Sequence, residues 1–459
     1  MSVSASSPLS ATALEGRVRG RIVRPDDPDY DAVRTVIAGH IDRRPAFIVR
    51  VADAADVAEV IGLARETGAE LAVRSGGHSG AGHSVTDGGI VLDLRDLSAL
   101  ELDVEARTAW ADSGLTAAAF TDAAGEHGLA VGFGDTGSVG LGGLTLGGGV
   151  GYLVRLLGLT IDSLVAADIV TADGQLRRVD ADTEPDLFWA IRGGGGNFGV
   201  ATRFRFKLHE VPEAYGGILI LPATAEVIEG YMAASDAAPN ELSSILNVMP
   251  APPMPGIPEE AVGQIVAMAI MCYAGDPGAG ERALAPFRAL TEPLMDGLKP
   301  MRYPEIYMPD DPEYRPLAEA RTMFIERVDA ATAELILERL AASDSPMRVA
   351  QLRPLGGAMA DVPADATAFA HRTSRIMVNV ASFYEGDADR PRRRAWVTSF
   401  ADDLRQGDDG AYVNFLVDEG EERVRAAYPG ATWERLRAIK AQYDPTNLFR
   451  LNQNIPPAG

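Results

Sequence analysis

The sequence predicts an α+β protein of two domains, and three observations carry that expectation. A chain of 459 residues exceeds the roughly 250–300 at which a single hydrophobic core stops growing. Its first half opens strand–helix–strand and holds two glycine-rich segments, over 75–82 and 132–151. Its second half alternates short apolar strands with helices and has no such glycine clusters, the pattern of an antiparallel sheet covered on one face by helices.

Composition narrows the class. The chain is 46% hydrophobic and 23% charged, as in ordinary soluble globular proteins. No run of 18 uninterrupted apolar residues predicts a membrane span. Residues 1–16 are rich in Ser and Ala without a basic start or apolar stretch, so no signal peptide and a cytoplasmic location are expected. Lys and Arg total 42 against 65 Asp and Glu, a net charge of −23, which disfavours nucleic acid and anionic membrane surfaces as partners. The one cysteine, Cys272, sits in the apolar run 265–273 and reads as a small buried hydrophobe. With one thiol, zinc fingers and iron–sulfur clusters are excluded, and no metal is expected.

The elements follow in order. Residues 1–20 read as a loose polar start. A strand is predicted over 47–51, and Asp53 can cap a helix carrying Val57, Val60, Ile61 and Ala64 at helical spacing. A strand over 71–74 then delivers the loop Ser75-Gly76-Gly77-His78-Ser79, ahead of a strand over 90–94. Glycine has no Cβ and tolerates positive φ, so paired glycines bring backbone N–H groups close to a ligand. His78 sits where that loop turns. No long helix opens directly on these glycines, which argues against a Rossmann dinucleotide fold.

A strand over 107–112 and a helix over 116–127 precede the second segment, where ten of the positions 132–151 are glycine. Gly140, Gly142 and Gly143 are expected to face main-chain N–H groups toward a pyrophosphate. A strand over 168–171 turns at Asp173-Gly174. The stretch 186–199 leads into an alternating strand over 200–208; its four glycines at 193–196 either close over a ligand or allow a tight turn. Val211-Pro212 ends the first domain.

In the second domain, strands are predicted over 218–221, 242–248, 265–273, 322–326 and 375–383. The proline-rich stretch 250–255 reads as a stiff surface loop. Asn379 is the odd polar residue of its strand, and alternation groups it with Met377, Ala381 and Phe383. Two readings stay open: a substrate-polarising group, or a buried asparagine satisfied by backbone. A helix over 433–442 turns Leu436 and Ile439 inward, and the tail Asn452-Gln453-Asn454 returns to the first domain. The expected divisions are 1–212, 213–432 and 433–459.

Three motifs carry a resemblance. They are Arg74-Ser75-Gly76-Gly77-His78, the run Gly147-Gly148-Gly149-Val150-Gly151-Tyr152 followed by Arg155 and Gly158, and the ending Tyr443-Asp444-Pro445-Thr446-Asn447-Leu448-Phe449. From about residue 40 to its end the chain resembles the FAD-linked oxidases of the berberine-bridge-enzyme-like group. The resemblance implies a two-subdomain PCMH-type FAD-binding domain and a substrate domain whose sheet roofs the flavin. It implies that His78 carries FAD covalently through the 8α-methyl group, with Arg74, Ser75, Gly76, Gly77 and Ser79 around it. It assigns the diphosphate to the segment containing Val139, Gly140, Gly142, Gly143 and Gly147, and the adenine side to Gly199 and Val200. Tyr412 and Asn414 match the family's Tyr-x-Asn near the flavin, and Asn452 comes from the tail.

Departures from the family pattern also matter. Thr136 stands where bicovalent members carry a cysteine, so a 6-S-cysteinyl bond is not expected. Leu144 and Leu157 replace a histidine and a tyrosine of other members. Val139 aligns with the position that gates oxygen, and a valine there favours O2 as acceptor with release of H2O2.

The implied reaction is removal of hydride from a C–H next to oxygen or nitrogen of a small molecule, such as a secondary metabolite. Tyr412 is the candidate base, although a phenol titrates near pH ~10 without help from neighbours; its other reading is a packed aromatic with a satisfied hydroxyl. A flavin dehydrogenase using another acceptor, or a non-enzymatic flavin-binding protein, are the alternatives. The oligomeric state is open.

Overall fold

The computed structural model describes residues 9–309, 311 and 313–459. Residues 1–8 of the expected loose start lie outside the described residues. Within the rest of that stretch, Ala11–Leu14 is a short 3-10 helix with Leu14 buried, and just after it Arg21–Val23 pairs antiparallel with Phe47–Arg50.

The first sheet has the order Arg21–Val23, Phe47–Arg50, Ile90–Asp93, Leu71–Arg74, and its last three strands are parallel. Helix Ala54–Thr67 crosses from Phe47–Arg50 to Leu71–Arg74, the outer two of these parallel strands. Asp53 caps it, its Oδ1 accepting from the N–H groups of Ala55 at 2.8 Å and Asp56 at 2.9 Å, and Gly68 ends it at φ 68°. Val57, Val60 and Ile61 are fully buried against the sheet, each contributing about 1.5–3 kcal/mol relative to exposure.

The second sheet is antiparallel, in the order Leu100–Asp103, Thr108–Asp112, Val200–Lys207, Leu164–Val170, Leu176–Asp180. Phe120 and Phe133 pack edge-to-face at 4.9 Å and both meet Phe206 beneath it. The second glycine segment is not a loop throughout, because Leu141–Gly147 is helical.

The third sheet has eight strands. Seven form an antiparallel path, Met295–Asp296, Ala214–Pro222, Ile265–Ala274, Leu242–Pro250, Arg348–Pro354, Ile376–Phe383, Ala318–Ile325, and Lys299–Met301 pairs off it. Helices Ala225–Ala237, Pro277–Arg288, Ala330–Ala341 and Arg390–Asp403 bury one face through Val227, Ile228, Leu284, Ile336, Val397 and Phe400. The expected strands are present, together with Arg348–Pro354, which the sequence reading left out. Pro250 belongs to its strand, opposite Ile265, and Ala251 is buried, so the exposed part of the proline-rich loop starts later than expected. Cys272 is buried, and burial pushes its thiol up to about 12.

The chain then returns to the first core. Ala411, Val413, Leu416, Ala427 and Tyr428 share one buried cluster with Leu187, Phe198, Leu436 and Ile439, so the return begins by Ala411 rather than at residue 433. Helix Ala431–Tyr443 ends in a fully buried ion pair, Lys440 Nζ to Asp444 Oδ2 at 2.6 Å. Lys440 also donates to the carbonyls of Asn197 and Phe449, and Asp444 accepts from the N–H groups of Leu448 and Phe449. That pair fixes the final turn of the chain against the glycine-rich stretch 193–199. No helix among the described residues is long and apolar enough to cross a membrane.

Candidate active site

The uncovered face of the eight-stranded sheet looks onto both glycine segments across a cleft of about 570 Å³. One wall holds Ser75, Gly76, Gly77, His78 and Ser79, and the next holds Thr136, Val139, Gly140, Gly142 and Gly143. Gly199, Val200, Asn452 and the stretch from Tyr412 to Val417 close the far side, and Ala320, Gln351, Arg353 and Asn379 form the roof.

The two glycine segments lie directly against each other. A Cβ on Gly76 would sit 2.3 Å from the Gly140 nitrogen, and one on Gly140 would sit 2.1 Å from Ser75 Oγ. Ser75 Oγ donates to the Ser113 carbonyl at 2.6 Å and accepts from the Gly142 N–H at 3.2 Å. His78 Nε2 lies 3.1 Å from Ser138 Oγ, so its ring is held between the two segments. Gly77 adopts φ 75°, a conformation costly for any side chain.

Three expectations need correction. Gly142 does not offer its N–H to a ligand: that group bonds to the Ser113 carbonyl at 2.9 Å as well as to Ser75, because the first turn of the helix, whose N–H groups have no partner within it, packs against these two residues. The N–H groups of Gly140 and Gly143, like those of Gly76, Gly77, Ser79 and Gly80 in the first loop, have no acceptor among the described residues. Arg74 is off the cleft wall. Alternation along its strand sends Val73 and Ser75 to the cleft and Arg74 to the opposite side, where Nη1 donates to the Val33 carbonyl at 2.5 Å. Gly147 is also off the wall; a Cβ there would lie 2.0 Å from Asn414 Oδ1, so it acts by admitting Asn414.

Tyr412 and Asn414 form one unit. The Tyr412 oxygen accepts from the Gly149 N–H at 2.9 Å and from Asn414 Nδ2 at 2.9 Å, and Asn414 Nδ2 also donates to the Leu144 carbonyl. Burial raises the phenol above its ordinary value, outweighing the lowering by Asn414 and by the Gly149 N–H. Tyr412 is therefore a protonated phenol at neutral pH, despite two hydrogen bonds that favour its anion. His83 lines the same wall, and burial, with the Arg43 charge, holds its imidazole down to about 4.

The roof resolves the orientation of Asn379. Val378 and Val380 are buried in the cluster beneath the helices, while Asn379 is half-buried on the cleft side with no side-chain hydrogen bond among the described residues. It is not the backbone-satisfied asparagine of the second reading. Opposite it in register stands Gln351, two residues from Arg353 on the strand the sequence reading missed. Arg353 pairs with Asp135 across the cleft and donates to Gln351 Oε1 from Nη2 at 2.7 Å. The signal for that strand was the alternation Val349, Gln351, Arg353 against Ala350 and Leu352, which reads as a solvent-facing edge when the polar set faces a cleft.

The wall suits a large bound group. Arg353 Nη1, Ser84 Oγ and Asn452 Oδ1 are buried on it without a partner in the protein, as expected where a ligand supplies the missing hydrogen bonds. Together with the free N–H groups of the glycine segments, Ser84 Oγ and Asn452 Oδ1 fit a long polar cofactor, while Arg353 Nη1 belongs to the roof.

Comparison with known proteins agrees with this geometry. A family model described as an FAD binding domain matches residues 45–180, and one described as berberine and berberine like matches residues 411–456. FAD-linked oxidoreductase YgaK of Bacillus subtilis is 31% identical over 96% of this chain and 98% of its own. (R)-6-hydroxynicotine oxidase of Paenarthrobacter nicotinovorans is 29% identical over the whole of both chains. The crystal structure of 6-hydroxy-D-nicotine oxidase from Arthrobacter nicotinovorans superposes with a TM-score of 0.85 at 26% identity, covering 99% of this chain and 100% of that one. Xylooligosaccharide oxidase from Myceliophthora thermophila, solved with xylobiose, has a TM-score of 0.84 at 23% identity over 98% and 99%.

Proposed function

The chain belongs to the FAD-linked oxidoreductases of the berberine-bridge-like family, and from that premise we propose an oxidase whose FAD is linked to His78 alone. The observation that carries the reading is His78 on the cleft wall, its Nε2 3.1 Å from Ser138 Oγ and its loop lined by unpaired N–H groups. When bound, FAD supplies the hydride acceptor that no side chain provides. Gly76, Gly77, Ser79 and Gly80 hold its polar portion through their N–H groups, and Gly199, Val200 and Asn452 enclose the far end. Thr136 has no thiol, so a second covalent bond does not form.

Tyr412 must first lose its own proton to solvent, and the Gly149 and Asn414 N–H groups stabilise the phenolate so formed. That phenolate then takes the proton from the substrate's hydroxyl or amine and returns to the neutral phenol. Asn379 orients the substrate from the roof. Val139, small and on the wall, leaves O2 a path, and peroxide is the second product. The substrate is a small molecule oxidised at a C–H next to oxygen or nitrogen, and the protein works in the cytoplasm.

Anaerobic mixing with a panel of alcohols and amines tests this reading. Bleaching of the yellow absorbance followed by stoichiometric peroxide when oxygen is admitted is the expected result. Bleaching without reoxidation by oxygen makes the protein a dehydrogenase. No bleaching by any member of a broad panel favours a flavin-binding protein without activity.

A further inference from the structure

Resting on the reading of this cleft as an oxidase site, we propose that the substrate is neutral and is held by a carbonyl oxygen between Arg353 and Asn379. The roof places Asn247, Gln351 and Asn379 in one row across adjacent strands, with side chains on one face. Hydrogen bonds run in one direction along it. Asn247 Nδ2 donates to the Met268 carbonyl at 3.4 Å, Gln351 Nε2 donates to Asn247 Oδ1 at 2.9 Å, and Arg353 Nε donates to Gln351 Oε1 at 2.9 Å. With Nη2 committed to Gln351 and Asp135, the guanidinium plane is fixed. It also lies over the Phe415 ring at 4.9 Å.

Two groups on this row remain unused. Arg353 Nη1 is buried with no partner, and the Asn379 side chain has none among the described residues. A buried donor left unpaired is destabilising, so a bound acceptor at Nη1 recovers that cost. Both groups sit on the cleft face two residues apart in register, since Arg353 stands opposite Met377.

Charge selects the kind of acceptor. Among the described residues lining the cleft, Asp135 is the only carboxylate and Arg353 the only arginine or lysine, and they neutralise each other. An ammonium substrate finds no free carboxylate. A carboxylate substrate leaves one uncompensated negative charge in a largely buried site, which is costly. A neutral carbonyl uses Nη1 and Asn379 and leaves the charges balanced.

Acetophenone, benzoate and benzylamine share one ring and differ in charge, so they serve as probes of the holoenzyme, titrated by calorimetry and by shifts of the flavin absorption bands. Acetophenone is expected to bind at least tenfold more tightly than the other two. Arg353→Met is expected to weaken it at least tenfold, and Asn379→Ala severalfold, without loss of flavin. Asp135→Asn, which leaves the guanidinium charge unbalanced, is expected to move the preference to benzoate. Tighter binding of benzylamine or benzoate by the wild type, failure of all three to bind, or unchanged acetophenone affinity in both Arg353→Met and Asn379→Ala overturns the proposal. Protein purified without flavin contradicts the oxidase reading instead, and calorimetry still reports ligand preference.

Discussion

The Tyr412 oxygen accepts two N–H hydrogen bonds while burial keeps its proton in place. Because its pKa lies above the ordinary phenol value, the reactive anion grows tenfold with each pH unit below that value. For the Tyr412 base, kcat/KM is expected to climb with pH through neutrality without a plateau below about pH 10, and Tyr412→Phe is expected to remove that slope. A plateau near neutral pH in the wild type assigns the base elsewhere. His83 shows the opposite sign. Its folded pKa of about 4 lies below the unfolded value near 6.5, so the unfolded chain binds the proton first as the solution is acidified. Stability is fully present above about pH 6.5 and falls toward pH 4, by an order of ~3 kcal/mol. Urea denaturation at pH 7 and pH 4.5 reads that loss, and His83→Gln is expected to reduce the difference.

At the scale of elements, the Lys440–Asp444 pair holds the last helix against the backbone of Asn197 and Phe449. Asp444→Asn leaves a buried ammonium without its counter-charge and is expected to destabilise the fold by about 3–5 kcal/mol, seen as an earlier urea midpoint. An unchanged midpoint contradicts the role given to the pair. Helix Ala54–Thr67 was legible from Asp53 and the spacing of Val57, Val60, Ile61 and Ala64, because local capping and periodicity decide it, whereas strands Arg21–Val23 and Leu100–Asp103 of the same domain were not predicted. Strand Arg348–Pro354 was not legible. Its polar residues face a cleft that only the assembled sheet creates, and without that strand Arg353, Gln351 and their partner Asp135 could not be singled out. The helical turn at Leu141–Gly147 was hidden by its glycines, whose low helix propensity is overridden by packing against Ser75 and Ser113.

At the scale of the whole molecule, the motifs located the cleft better than they located its donors. His78, Val139, Tyr412 and Asn414 all line it, while Arg74 and Gly147 support it from behind. Gly76 and Gly140 depend on the contact between two segments distant in sequence, and a Gly140→Val change sets a branched side chain where a Cβ alone would be 2.1 Å from Ser75 Oγ. Loss of bound flavin, measured by absorbance per chain, is the expected outcome; full flavin content contradicts the account of this contact.

The linkage at His78 is tested most directly by acid precipitation followed by peptide mass analysis. The washed precipitate is expected to stay yellow and the His78 peptide to carry the mass of FAD, with His78→Ala losing both. A colourless wild-type precipitate with an unmodified His78 peptide contradicts it.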